Sequence, residues 1–157
     1  MSNSKGGCSC GSVRYSLLDH PMFTHCCHCH LCQQLTGSAF LINASIESWN
    51  FRLDRGTLLN FLGPSGSGGK HKLKRCAECG DPIASYFGET EYLAWIKVAS
   101  LDIPDTFPPQ AHIFVSSKLK WLSLDKEIPQ FSGIYNFEKT WPKESYGRLL
   151  FVREKQR

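Results

Sequence analysis

Short apolar runs parted by glycine and proline organise this chain of 157 residues, with few long amphipathic stretches between them. Ser12 to Leu17, Thr57 to Leu62, Glu91 to Val98 and Ala111 to Ser116 read as extended segments, the last around Ile113-Phe114-Val115. Phe40 to Leu53 alternates loosely through Phe40, Ile42, Ile46, Trp49 and Phe51 and is expected to be extended as well. Gly56 and Gly63-Pro64 supply breaks at the ends of one run. Only Cys29 to about Ser38 looks helical, a short turn with Gly37 near its end. Gly63 to Gly69 reads as a solvated, mobile loop. The basic run Lys70 to Arg75 behind it reads as an edge strand protected by lysines. Leu149 to Arg157 starts apolar and ends charged, and its last few residues are expected to fray. The prediction is a mainly β chain built from small antiparallel sheets.

Composition narrows the picture. With 41% hydrophobic and 20% charged residues the chain is globular and not disordered. Its length suits a single domain over residues 1–157, with a motif-bearing part at about 7–131 and an extension at about 132–157. A formal charge of +4 is too mild to imply nucleic acid, and no basic stripe is interleaved with exposed aromatics. No segment approaches a transmembrane span. Met1 to Gly7 is polar, with no basic stretch leading into an apolar run, so a cytoplasmic location with reduced thiols is expected.

Cysteine changes the picture most. Seven of the eight fall at short spacings: Cys8-Ser9-Cys10-Gly11, Cys27-His28-Cys29, then Cys32, and Cys76-Ala77-Glu78-Cys79-Gly80. A C-x-C or C-x-x-C turn aims two sulfurs at one centre, and thiolate is a soft ligand suited to zinc. Gly11 and Gly80 suit turns that require positive φ. A disulfide framework is the competing use, but it requires an oxidising compartment.

Seven thiols make one four-sulfur and one three-sulfur site. The two glycine-tailed pairs combine naturally, Cys8 and Cys10 with Cys76 and Cys79, as a structural zinc site tying the N-terminal turn to the middle of the chain. Cys27, Cys29 and Cys32 lie on one segment and leave the far side of a metal uncovered, where an external thiol can bind. Alternatively Cys26, His28, His30 or a distant histidine closes that site as a second structural zinc. Cys26, next to Cys27 in an extended segment, should point away from the metal and serve as a small buried hydrophobe. His25, His28 and His30 are either polar surface or groups that support or serve the metal, and no single one stands out.

In this order the motifs are distinctive. Gly7-Cys8-Ser9-Cys10-Gly11-Ser12-Val13-Arg14-Tyr15, Cys27-His28-Cys29-His30-Leu31-Cys32 and Cys76-Ala77-Glu78-Cys79-Gly80 are followed by His112-Ile113-Phe114-Val115-Ser116-Ser117-Lys118, Trp121, Asp125 and Ile128-Pro129-Gln130-Phe131. The chain resembles the glutathione-dependent formaldehyde-activating enzyme family, which also includes centromere protein V. The resemblance implies a β-tent fold with two zinc ions per chain, one on Cys8, Cys10, Cys76 and Cys79 and one on Cys27, Cys29 and Cys32. It further implies a carbon–sulfur lyase, an S-(hydroxymethyl)glutathione synthase joining glutathione and formaldehyde at the open three-cysteine site. Two departures bear on the anionic ligand. Arg75 stands where the family often has Phe, and Gln33-Gln34 stand where it commonly has basic residues. The Lys70 to Arg75 run is a possible source of replacement charge.

Two other functions compete. A non-catalytic zinc module binding a macromolecule is favoured only by the mild basic excess and the Lys70 to Arg75 run. A thiol redox protein would use Cys26 and Cys27, or Cys29 and Cys32, as an accessible pair free of metal. Oligomeric state and the true thiol and aldehyde are not legible in these residues.

Overall fold

In the computed structural model, residues 4–66 and 68–155 are described. Three strands, β1 (Ser4–Gly7), β2 (Arg14–Leu17) and β5 (Phe51–Arg55), form an antiparallel sheet in the order β1-β2-β5. A larger sheet runs β10-β3-β4-β9-β8-β7-β6. Its members are β3 (Phe23–Cys27), β4 (Leu41–Glu47), β6 (Leu58–Gly63), β7 (His71–Cys76), β8 (Pro82–Phe87), β9 (Leu93–Lys97) and β10 (Ala111–Ile113). All its pairings are antiparallel except β10 with β3. The chain is mainly β, as the short apolar runs predict.

Strand alternation gives the large sheet two differently used faces. On one, Ala44, Ile46, Ala84, Tyr86, Ala94 and Ile96 pack against Tyr15 and Leu17 of the small sheet and Val13 just before it. Burying side chains such as Ile46 and Ile96 contributes roughly 1.5–3 kcal/mol each. On the other, Phe23, Cys27 and Trp95 pack under Tyr135, Trp141 and Leu149 from the C-terminal part of the chain.

Three expectations need correction. Phe40 to Leu53 is not one extended segment: a 3-10 turn at Ser48–Asn50 divides it, and its halves join different sheets. The turn is tied to the chain after β8, where the Ser48 amide donates to the Tyr92 carbonyl and its hydroxyl to that of Glu91. Lys70 to Arg75 is not an edge: β7 lies between β6 and β8, and the edge belongs to β6, where Leu59, Phe61 and Leu62 are exposed. The lysines are matched by acids on the neighbouring turn, Lys72 and Lys74 by Glu91 and Lys70 by Glu89.

Nor does Ala111 to Ser116 stay extended: β10 ends at Ile113, Phe114 turns into the left-handed region (φ 54°) and Val115–Ser117 form a 3-10 turn. Beyond α1 (His30–Thr36), the predicted short helix, the chain forms α2 (Phe137–Thr140) and α3 (Lys143–Lys155). Leu149 and Val152 of α3 are buried. Arg148 reaches the buried Glu47 at two points, Nε to Oε1 at 2.7 Å and Nη2 to Oε2 at 2.5 Å. Gln156 and Arg157, like Ser67 of the glycine-rich loop and Met1 to Asn3, lie outside the described residues.

Candidate metal centres

The loop between β1 and β2 folds back on itself. The Cys8 amide donates to the Val13 carbonyl, the Val13 amide to the Cys8 sulfur at 3.2 Å, and the Gly11 amide to the Cys8 carbonyl. The turn after β7 repeats the pattern, its Gly80 amide donating to the Cys76 carbonyl. Gly11 (φ 76°) and Gly80 (φ 78°) occupy the left-handed region that their position after each cysteine pair predicts. The Ser9 amide donates to the Asp81 carboxylate at 2.6 Å and ties one turn to the other.

These turns bring the sulfurs of Cys8, Cys10, Cys76 and Cys79 within 4.8 Å of one another. Cys8 and Cys10 are 3.4 Å apart, and Cys10 and Cys76 3.9 Å. Four sulfurs around zinc at about 2.3 Å would lie about 3.8 Å apart, so the donor set and its spacing fit a tetrahedral ion. Burial opposes charge on Cys8, but the Val13 amide and the Cys10 and Cys76 thiols outweigh it and lower its pKa. All eight cysteines are free thiols.

The second group forms where β3 runs into α1. Cys27 ends the strand, Cys29 caps the helix and Cys32 lies in its first turn, with the Cys32 amide donating to the Cys29 sulfur at 3.4 Å. Their sulfurs also lie within 4.8 Å of one another, and no further Cys, His, Asp or Glu joins the group among the described residues. Cys27 and Cys29 are buried, while Cys32 is partly open. Hydrogen bonds from the Cys27 and Cys32 thiols hold Cys29 far below the thiol range, and the same bonds push Cys27 up. An all-sulfur donor set of this kind suits a soft cation. Gly66 crosses close by: a Cβ there would stand 3.4 Å from the Cys29 sulfur.

A buried polar row borders this group on the Cys27 face of the sheet. Pairing aligns His25 of β3 with Asn43 of β4, and Asn43 with Lys97 of β9. Lys97 Nζ donates to Asn43 Oδ1 at 2.9 Å and to Ser85 Oγ at 2.7 Å. His71 Nδ1 meets the Pro64 carbonyl at 3.1 Å and its Nε2 meets Ser85 Oγ at 2.8 Å. A carbonyl only accepts, so Nδ1 of the neutral ring carries the proton, Nε2 accepts from the Ser85 hydroxyl, and Ser85 accepts from Lys97. Burial lowers Lys97 to about 8, against the pull of the Cys32 and Cys27 sulfurs. Burial also lowers His25 to about 3, assisted by the Lys97 charge. His25 stacks on Trp95 at 4.7 Å and meets the Tyr135 hydroxyl at 2.9 Å.

Cys26 points away from Cys27, as alternation predicts, but its surroundings are not purely apolar. It forms a third buried group with His28 and His112, whose ring nitrogens are 2.9 Å apart. Burial pushes the Cys26 thiol up to about 12. Neither Cys26 nor His28 joins the three-sulfur group, and neither His25 nor His28 is surface, whereas His30 is exposed. Cys26 and His112 are paired residues on β3 and β10, a contact set by a pairing that local spacing does not reveal. Lys97, Asn43, Ser85 and His71 were missed for the same reason. A surface cavity lined by Phe51, Leu58, Lys74, Tyr86 and Glu91 among others carries no thiol or imidazole and offers none of this chemistry.

No curated protein matches the chain. A crystal structure of a Rhodobacter sphaeroides protein is similar at 25% identity, covering 62% of this chain and 87% of that one, with a TM-score of 0.47. The profile described as "Glutathione-dependent formaldehyde-activating enzyme" matches residues 3–117, a span that holds all three cysteine groups. The chain belongs to the glutathione-dependent formaldehyde-activating enzyme family.

Proposed function

We propose that the protein is a zinc-dependent enzyme of the carbon–sulfur lyase type that joins a small thiol, glutathione by the family's description, to formaldehyde. The supporting observation is the inequality of the two sulfur groups: four sulfurs from two loops close one centre, and three from one segment leave the other short of a fourth donor. Cys8, Cys10, Cys76 and Cys79 are read as the structural set, and Cys27, Cys29 and Cys32 as the reactive one.

Zinc at the reactive set would supply Lewis acidity and favour the thiolate form of an incoming thiol. The rest falls to the chain. Cys27, Cys29 and Cys32 would hold the ion, and Gly66 keeps the approach to Cys29 free of a side chain. In the reaction the thiol gives up its proton, its sulfur forms the new bond to the formaldehyde carbon, and the carbonyl oxygen takes up a proton, giving the hydroxymethyl thioether. The buried row from His71 to Lys97 keeps polar groups beside the centre where charge develops.

The interaction-module reading loses its main support, since Lys70, Lys72 and Lys74 are paired with glutamates and form no free basic stripe. No helix among the described residues is long and apolar enough to cross a membrane. A cytoplasmic location belongs to the same proposal, because it keeps the thiols reduced.

The test is the rate at which glutathione and formaldehyde exchange with their adduct, followed by magnetisation-transfer NMR. The two-zinc protein should accelerate the exchange. Cys29→Ser should abolish the acceleration while keeping one zinc and the fold, whereas Cys79→Ser should unfold the chain. Exchange no faster with wild-type protein than without it would refute the activity.

A further inference from the structure

Lys97 sits deep in the molecule, 4% exposed, with an amide oxygen and a hydroxyl as its hydrogen-bond partners. It makes no ion pair with a carboxylate among the described residues, although the other buried charge, Glu47, has Arg148. An ammonium removed from water without an opposite charge is costly. The sulfurs of Cys32 and Cys27 are near enough to raise its pKa against the effect of burial. Lys97 lies on the same face of the sheet as Cys27, two strands away through Asn43 and β4.

We propose that Lys97 is the fixed counter-charge of the Cys27–Cys29–Cys32 centre and makes its open side selective for an anionic ligand, a thiolate. The inference rests on reading that centre as a thiol-binding metal site. A divalent ion on three thiolates carries one net negative charge, and Lys97 brings the buried assembly to neutrality. A neutral ligand leaves this balance unchanged. A thiolate leaves one net negative charge with Lys97 present and two without it, and the second charge is the expensive one in a buried setting.

The ammonium is held in place to do this. Asn43 Oδ1 and Ser85 Oγ fix it, and the Ser85 hydroxyl is committed to His71, whose other nitrogen donates to Pro64. Other groups do not replace it. Burial lowers the pKa of both His25 and His71 and so disfavours a charge on either, and Arg75, which repels Lys97, donates to the Gly80 carbonyl and stands over Phe61. Lys97 is thus a positioning residue that acts through charge.

The experiment compares zinc-loaded wild type with Lys97→Met, Lys97→Gln and Lys97→Arg. Two quantities are read: the release of each zinc to a chromogenic chelator, and the affinity of the cobalt-substituted protein for 2-mercaptoethanol and for imidazole by absorption. Both neutral variants should keep the four-sulfur metal as wild type does. They should release the second metal on the order of 10–100-fold more readily, the usual loss when a group supporting metal ligands is removed. Their preference for thiol over imidazole should fall by a similar factor, and Lys97→Arg should restore most of both. Lys97→Gln retains an amide donor for Asn43 and Ser85, so a purely structural lysine would leave it unaltered. Unchanged second-metal release and unchanged ligand preference in folded Lys97→Gln would overturn the proposal. If wild type holds two metals but takes no thiol, the functional reading fails, and the release comparison still decides the role of Lys97.

Discussion

Glu47 shows how one residue is made acceptable inside the molecule. Burial alone would raise its pKa, but the guanidinium of Arg148, its own amide and Asn50 hold it below its ordinary 4.5. A depressed carboxylate contributes stability that is present above the unfolded pKa and lost as pH falls through the folded one. Arg148→Ala reverses the sign, since burial then leads and the folded pKa rises above the unfolded value. The variant should therefore be less stable at pH 7 by roughly 3 kcal/mol, the lower end for breaking a buried pair because Arg148 is partly open. The deficit should shrink as pH falls through the variant's raised pKa, above 4.5, and on down to the lowered one of the wild type. Urea unfolding at pH 7 and at pH 4 checks both points, and an equal deficit at the two would contradict this account of Glu47.

At the scale of elements, α3 is a working part of the fold and covers the face that carries Cys27 and Trp95. Leu149→Ala removes a side chain that is 2% exposed within that layer. It should cost about 2–5 kcal/mol, measured by thermal or urea unfolding with both zincs in place. A cost near zero would mean that α3 merely rests on the sheet. Much of this level was readable in advance: β2, β6, β9 and α1 follow from apolar runs and a glycine stop, whereas β10 is cut short at Ile113 by the left-handed turn at Phe114. The break between β4 and β5 was not, because it depends on hydrogen bonds from Ser48 to a distant turn. Nor was the place of β7, since lysines that mark an edge elsewhere are here answered by Glu89 and Glu91. The pattern of α3 is hidden by Leu150 and Phe151, exposed apolar residues outside its buried stripe of Leu149 and Val152.

At the scale of the whole molecule, two sheets and a C-terminal cover place two unequal sulfur groups at separate turns. The groups themselves were legible: short spacings hold the trio and each pair together, and the matching glycine-tailed turns pointed to the union of Cys8 and Cys10 with Cys76 and Cys79. Their setting was not: His25, Asn43, Ser85 and Lys97 meet across four strands, and Cys26 meets His112 across a parallel pair. Pairing of that kind is decided by the complete sheet and leaves no local signature. The central claim is that the three-cysteine group holds a metal with room for one external thiol. It is tested most directly by calorimetric titration of glutathione into the two-zinc protein, with S-methylglutathione as the blocked control. One glutathione per chain should bind, with release of a proton to the buffer, and the control should give no heat. Absence of glutathione binding at millimolar concentration, or equal binding of the S-methyl compound, would contradict it.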